Sequence, residues 1–114
     1  MAVLYGIKNC DTVKKARNWL DNNGTAYQFH DYRVDGLTSE QLQRFAADLG
    51  WKTMLNCSST SWRQLSAEQL DNLTETKALQ LMLEIPTLIK RPILDTGNEI
   101  LIGFKPDLYQ AKLT

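Results

Sequence analysis

The sequence predicts an α/β fold in which a βαβ unit and a ββα unit are separated by an all-helical insertion. Three observations predict it. An apolar run at residues 2–6 and an alternating run from Tyr27 to Tyr32 bracket a stripe with helical spacing. The middle of the chain carries successive helix-capping signals. Towards the C-terminal end, two short apolar runs flank Thr96-Gly97-Asn98, and a helix opened by Pro106 follows.

Each element has its own reason. Ala2 to Gly6 reads as a short buried strand. Residues 11–23 read as a helix, because Val13, Ala16 and Leu20 recur at three- and four-residue steps with Trp19 beside them. Lys14, Lys15, Arg17, Asn18 and Asp21 cover the opposite face, and Gly24 is a natural stop. Tyr27-Gln28-Phe29-His30-Asp31-Tyr32 alternates and reads as a second strand, parallel to the first given the intervening helix. Gly36 breaks the chain. Thr38 with Gln41 forms a capping box ahead of the stripe Leu42, Phe45, Ala46 and Leu49, which ends at Gly50. Signals weaken from Trp51 to Leu73, apart from a second capping box, Ser66 with Gln69. Thr74 caps a further helix to about Glu84, and Ile85-Pro86 ends it. Pro92 to Asp95 and Glu99 to Ile102 form an antiparallel hairpin. The helical insertion therefore spans about 36–84 of a single domain, 1–114.

Composition narrows the function. A chain of 114 residues supports one core. Hydrophobic residues make up 43% and charged residues 23%, as in globular proteins. Thirteen basic and thirteen acidic side chains cancel, which argues against nucleic acid or a membrane surface as partner. No apolar run reaches membrane-spanning length, and the N-terminus lacks the basic and apolar segments of an export signal. Two cysteines are too few for a disulfide scaffold, so a cytoplasmic location is expected. One histidine and two distant cysteines give no metal site.

Cys10 is the most informative residue. It stands between the first strand and the first helix, where backbone N–H groups lack intrahelical partners and the dipole favours negative charge. A thiol so placed titrates at roughly 3.5–7.5 rather than about 8.5, and the thiolate is the nucleophile. A small buried packing residue is the alternative. Lys8, Lys14 and Lys15 add positive charge nearby on the chain, although a solvated helix face explains Lys15 equally well. Asp11 opposes ionisation of the thiol or caps the helix; Thr12 donates to a thiolate or caps.

Removal of the insertion leaves βαβ followed by ββα, the thioredoxin-like arrangement, with a cysteine at the end of its first strand. Arg91-Pro92 precedes the third strand, and X-Pro is the bond that readily adopts cis. The stretch Ile85-Pro86-Thr87-Leu88-Ile89-Lys90-Arg91-Pro92-Ile93-Leu94 closely resembles the Pro-x-Leu-Ile-x-Arg-Pro element of the ArsC-like family. That family includes glutaredoxin-coupled arsenate reductases, Spx-type transcription regulators and the small YffB proteins. Tyr5-Gly6-Ile7-Lys8-Asn9-Cys10-Asp11-Thr12 and Gly103-Phe104-Lys105-Pro106 resemble the signatures of the YffB branch, the nearest one.

The resemblance implies a glutathione-dependent thiol reductase with Cys10 as nucleophile and Arg91 as its guanidinium partner. Glutathione is the implied co-substrate and a glutaredoxin the implied redox partner. Lys8, Asn9, Asp11, Thr12, Lys14, Arg63, Pro92 and Lys105 are the residues expected to bind substrate or glutathione. Two alternatives stand beside it: an arsenate reductase coupled to glutathione and glutaredoxin, and an Spx-like regulator that binds RNA polymerase without catalysis. Cys57-Ser58 and Lys105 fall near positions where the arsenate-reducing branch carries arginines. Lysine lacks the bidentate fork, which weighs against arsenate; Arg63 is the available substitute. Spx-type oxidation sensing needs a second cysteine three positions after the first, where this chain has Val13. Cys57 is read as a packing residue or incidental thiol ahead of a resolving cysteine. His30 is read as structural or solvent-facing, and Trp51 and Trp62 as packing residues.

Overall fold

A computed structural model describes residues 1–113, and they form two compact units. The first joins Met1–Gly36 to the chain from Arg91 onward; the second is Leu37–Lys90.

The first unit is built on four strands: β1 (Ala2–Gly6), β2 (Tyr27–Asp31), β3 (Ile93–Asp95) and β4 (Ile100–Ile102). Their order is β2-β1-β3-β4. β1 pairs parallel with β2, Ala2 opposite Tyr27 and Gly6 opposite Asp31. It pairs antiparallel with β3, Leu4 opposite Leu94 and Tyr5 opposite Ile93, and β3 pairs antiparallel with β4. The parallel pair needs a crossover, which α1 (Asp11–Asn22) supplies. The closing helix runs from Pro106 to Leu113. This is the thioredoxin-like α/β arrangement expected of the sequence, with a mixed four-stranded sheet.

The core explains why α1 and the closing helix lie on this sheet. Leu4, Ala16, Leu20, Leu94 and Tyr109 are fully buried in one cluster, and Trp19, Phe29, Phe104 and Leu108 pack against it. The Trp19 and Phe104 rings meet Tyr109 edge-on, at 5.7 and 5.0 Å between centroids. The Tyr109 hydroxyl donates to the Gly103 carbonyl at 3.0 Å, which satisfies its buried polar end.

The second unit is all helical. α2 (Ser39–Leu49) opens on the capping box of Thr38 and Gln41, with both reciprocal hydrogen bonds formed. α3 (Trp51–Met54), α4 (Thr60–Arg63) and α5 (Ala67–Leu70) are single turns, each set by a local cap or glycine. α6 (Glu75–Glu84) is capped by Thr74 and packs against α2 and α3. The unit extends beyond Glu84 to Lys90. A 3₁₀ turn at Pro86–Leu88 brings Leu88 and Ile89 into its core, both fully buried. Asn56 N–H then bonds the Leu88 carbonyl and Lys90 N–H the Met54 carbonyl, each at 2.8 Å. Pairing with residues 54–56, distant in sequence, thus moves the boundary past the end of the last helix.

Gly6 shows how tightly β1 and α1 approach where Cys10 is carried. A Cβ there would stand 2.8 Å from the Val13 side chain, itself fully buried. Overpacking of this kind costs about 1–3 kcal/mol. Gly6→Ala is therefore expected to lower the urea midpoint by that free energy with an unchanged m-value. An unaltered midpoint would show that Val13 has room to move.

Candidate active site

The polypeptide leaves β1 at Gly6, turns through Ile7, Lys8 and Asn9, and enters α1 at Asp11. Cys10 is the N-cap of α1. It is extended (φ −103°, ψ 125°), its carbonyl accepts the first intrahelical bond from Lys14 N–H at 3.0 Å, and its side chain is half-buried. No oxygen side chain caps this helix. Its free N–H groups point instead at sulfur.

Four influences set the Cys10 thiol. Burial raises its pKa. The Val13 N–H, the Arg91 side chain as hydrogen-bond donor and as charge, and the Thr12 N–H all lower it, and together they prevail. The thiol therefore ionises below its ordinary range. Arg91 reaches it because β3 begins beside β1. Tyr5 pairs with Ile93, and one and two steps further that register brings Pro92 and Arg91 alongside the turn after Gly6. The Arg91-Pro92 bond is cis, and the Pro92 carbonyl accepts from Gly103 N–H at 2.8 Å.

Cys10, Thr12 and Arg91 are thus brought together among the residues singled out from the sequence. Thr12 acts through its backbone rather than its hydroxyl. Pro92 is buried beside Arg91; Lys8, Asn9, Asp11 and Lys14 are exposed along the turn and first helical turn. The positive charge that lowers the thiol is that of Arg91. Lys105 is exposed, just ahead of the closing helix, on a shallow groove with Phe104, Pro106 and Leu108. Arg63 belongs to the helical unit, where its guanidinium donates to the Ser58 carbonyl at 3.2 Å. Cys57 is an exposed free thiol in that same unit.

Two residues near the site escaped the sequence reading. Tyr32, only 4% exposed, lies within reach of the Arg91 charge. Burial pushes its hydroxyl far above the ordinary range, with Arg91 opposing and Tyr5 adding to the rise. It stays protonated and has no hydrogen-bond partner among the described residues. Its ring stacks on Tyr5 at 6.4 Å. Asp31 is the second: it is the only buried charged side chain among the described residues, 8% exposed. Both terminate an alternating strand, a pattern that marks a strand end and says nothing of what the side chains meet there. His30 is structural, as expected: its Nε2 bonds the Gly36 carbonyl at 2.7 Å and its ring packs on Tyr5 at 4.8 Å.

A thioredoxin-like fold with a thiol at the β1–α1 turn, and a guanidinium brought beside it by the β1–β3 register, defines the class to which this chain belongs. The family profile for ArsC matches residues 5–112, and the chain belongs to the ArsC family. The solved structure of a YFFB (PA3664) protein is 52% identical and superposes with a TM-score of 0.97, with 100% of each chain covered. An arsenate reductase (ArsC) related protein from Brucella melitensis is 43% identical, TM-score 0.78, with coverage of 97% of this chain and 92% of that one. An uncharacterized protein of Haemophilus influenzae is 47% identical over 97% of both chains. No helix among the described residues is long and apolar enough to cross a membrane.

Loss of Arg91 removes a hydrogen bond and a charge at once. Arg91→Met is expected to move the pH profile of Cys10 alkylation upward, measured in a Cys57→Ser background. The lowered thiol also links to stability. A group that ionises more readily when folded stabilises the fold above its unfolded pKa, about 8.5. That contribution fades as pH falls through the lower folded value. The unfolding free energy of the Cys57→Ser protein relative to the Cys10→Ser/Cys57→Ser protein should therefore grow as pH rises towards 9. A difference independent of pH would mean that the thiol is not shifted.

Proposed function

We propose that this protein is a glutathione-dependent thiol reductase whose nucleophile is Cys10. The observation that carries the reading is the depressed thiol at the N-terminus of α1, held by the Val13 and Thr12 N–H groups and Arg91 against the cost of its burial.

The chemistry follows from a single thiolate. Cys10 attacks one sulfur of an oxidised substrate disulfide. The other sulfur leaves as a thiolate, and a mixed disulfide between Cys10 and substrate remains. The thiolate of a first glutathione attacks the substrate-derived sulfur's partner at Cys10 and releases the substrate thiol. A second glutathione, or the thiol of a glutaredoxin, then attacks the glutathione sulfur and frees Cys10. Two electrons pass from two thiols to one disulfide, and the product is oxidised glutathione or the mixed disulfide of glutathione with glutaredoxin. The last exchange regenerates a thiolate at Cys10, which the helix N-terminus and Arg91 make a good leaving group. Arg91 is also the guanidinium available to a carboxylate of glutathione. Lys8, Asn9, Asp11, Thr12 and Lys14 flank the thiol along the chain and Pro92 follows Arg91; with Lys105 they make up the proposed binding set, and Arg63 belongs to the helical unit. A reducing cytoplasm supplies the glutathione this cycle consumes.

The test is turnover of a mixed or small-molecule disulfide with glutathione and glutaredoxin present. Cys10→Ser is expected to reduce the rate to background, while Cys57→Ser retains most of it. Equal loss in both variants would replace this mechanism with an internal disulfide. Arsenate offered in the same assay separates the oxyanion alternative: arsenate turnover faster than disulfide turnover would make it the substrate.

A further inference from the structure

We propose that Asp31 is a positioning residue that fixes the turn bearing Cys10, and through it the ionisation of the thiol. The inference rests on the reading of Cys10 as an activated nucleophile and deepens it.

β1 ends at Gly6, opposite Asp31 at the end of β2. Tyr32 N–H still reaches the Gly6 carbonyl at 2.9 Å, but the sheet ladder goes no further. The next anchor along β1 is not backbone. The Asp31 carboxylate accepts from Lys8 N–H through Oδ2 at 3.2 Å and from Arg33 N–H through Oδ1 at 2.8 Å. One side chain thus clasps both chains as they leave the sheet, two residues ahead of the sulfur.

The clasp is itself braced. Asp31 N–H donates to the Asp35 carboxylate at 3.0 Å, and the Asp31 carbonyl accepts from Val34 and Asp35 N–H at 3.1 and 2.7 Å. The carboxylate is therefore carried on a self-bonded turn rather than a mobile loop. Burial of a charge is unfavourable unless it is hydrogen-bonded, and here each oxygen meets an N–H. A carboxylate suits the place where an amide does not. It offers acceptors on both oxygens, whereas asparagine would set an NH₂ group against one of the two N–H donors.

From Lys8 the chain has only Asn9 before Cys10 enters α1. Lys14 N–H to the Cys10 carbonyl fixes the far side. The turn is held at both ends, and the sulfur is placed where Val13 N–H, Thr12 N–H and Arg91 converge. Asp31 acts through this placement, by its hydrogen bond to Lys8 N–H.

The test turns on a sign. Removal of a nearby negative charge, by itself, favours a thiolate and lowers a thiol's pKa. A loosened turn withdraws the N–H groups and Arg91 from sulfur and raises it. In a Cys57→Ser background, Asp31→Asn is expected to slow Cys10 alkylation at pH 7 by roughly threefold or more and to shift the profile upward. A profile unchanged or shifted downward overturns the proposal, whatever happens to the melting temperature. If Asp31→Asn fails to fold, amide hydrogen exchange of the unaltered protein decides. A Lys8 N–H that exchanges slowly supports the clasp, and one that exchanges at the unprotected rate overturns it. The unaltered protein's own alkylation profile reports on the nucleophile reading, and the difference made by Asp31→Asn reports on Asp31, so the two failures are distinct.

Discussion

The first turn of an α-helix leaves N–H groups with no backbone acceptor, and most helices hand them to a serine, threonine or aspartate oxygen. α1 hands them to sulfur. That substitution governs the rest of this site. Oxygen caps accept hydrogen bonds without a change of charge, whereas a thiol accepts well only as a thiolate. The helix thus favours the ionised form of Cys10 merely by needing a cap. Burial works in the other direction and is the largest single influence. Arg91 joins the N–H groups with both a hydrogen bond and a charge, and together they outweigh burial.

Arg91 is available only because of how β3 enters the sheet. The β1–β3 pairing runs antiparallel, so the residues just before β3 lie beside those just after β1. A parallel β3 would have carried Arg91 to the opposite end of the sheet. The cis peptide at Arg91-Pro92 sits at this entry, and the Gly103 N–H to Pro92 carbonyl bond ties the entry to the end of β4. Cysteine and arginine lie far apart in sequence and meet through strand register, with no local motif joining them. The helical unit interrupts the chain between β2 and β3 and leaves this register intact, since its termini, Leu37 and Lys90, bracket a segment that forms its own core.

Local signals were legible in the sequence to the extent that local hydrogen bonds make the element. Thr38 with Gln41, and Ser66 with Gln69, form both bonds of their capping boxes, and Thr74 caps α6. Val13, Ala16 and Leu20, read as the apolar face of α1, are all fully buried. Features that depend on distant partners were not legible. The extension of the helical unit to Lys90 needs the Asn56–Leu88 and Lys90–Met54 bonds, which no window of sequence contains. α3 and α4 are too short to show a period. The lysines around Cys10 looked like the source of positive charge because they are neighbours on the chain. Long flexible side chains at exposed positions leave their ammonium groups in water, whereas the Arg91 guanidinium, delivered by register, bonds the thiol.

Asp31 sharpens the same point. In sequence it is one polar residue in an alternating strand, no more informative than Gln28. In the fold Gln28 is exposed, and Asp31 is the buried carboxylate at the point where the ladder stops. A strand that ends beside a functional turn must hand its last N–H groups to something other than a neighbouring strand. A carboxylate does this with two acceptors and no donor, and once both oxygens are occupied its negative charge is held by the N–H groups that it orders. The aspartate thus holds the chain two residues ahead of the cysteine through backbone N–H groups rather than through the sulfur itself.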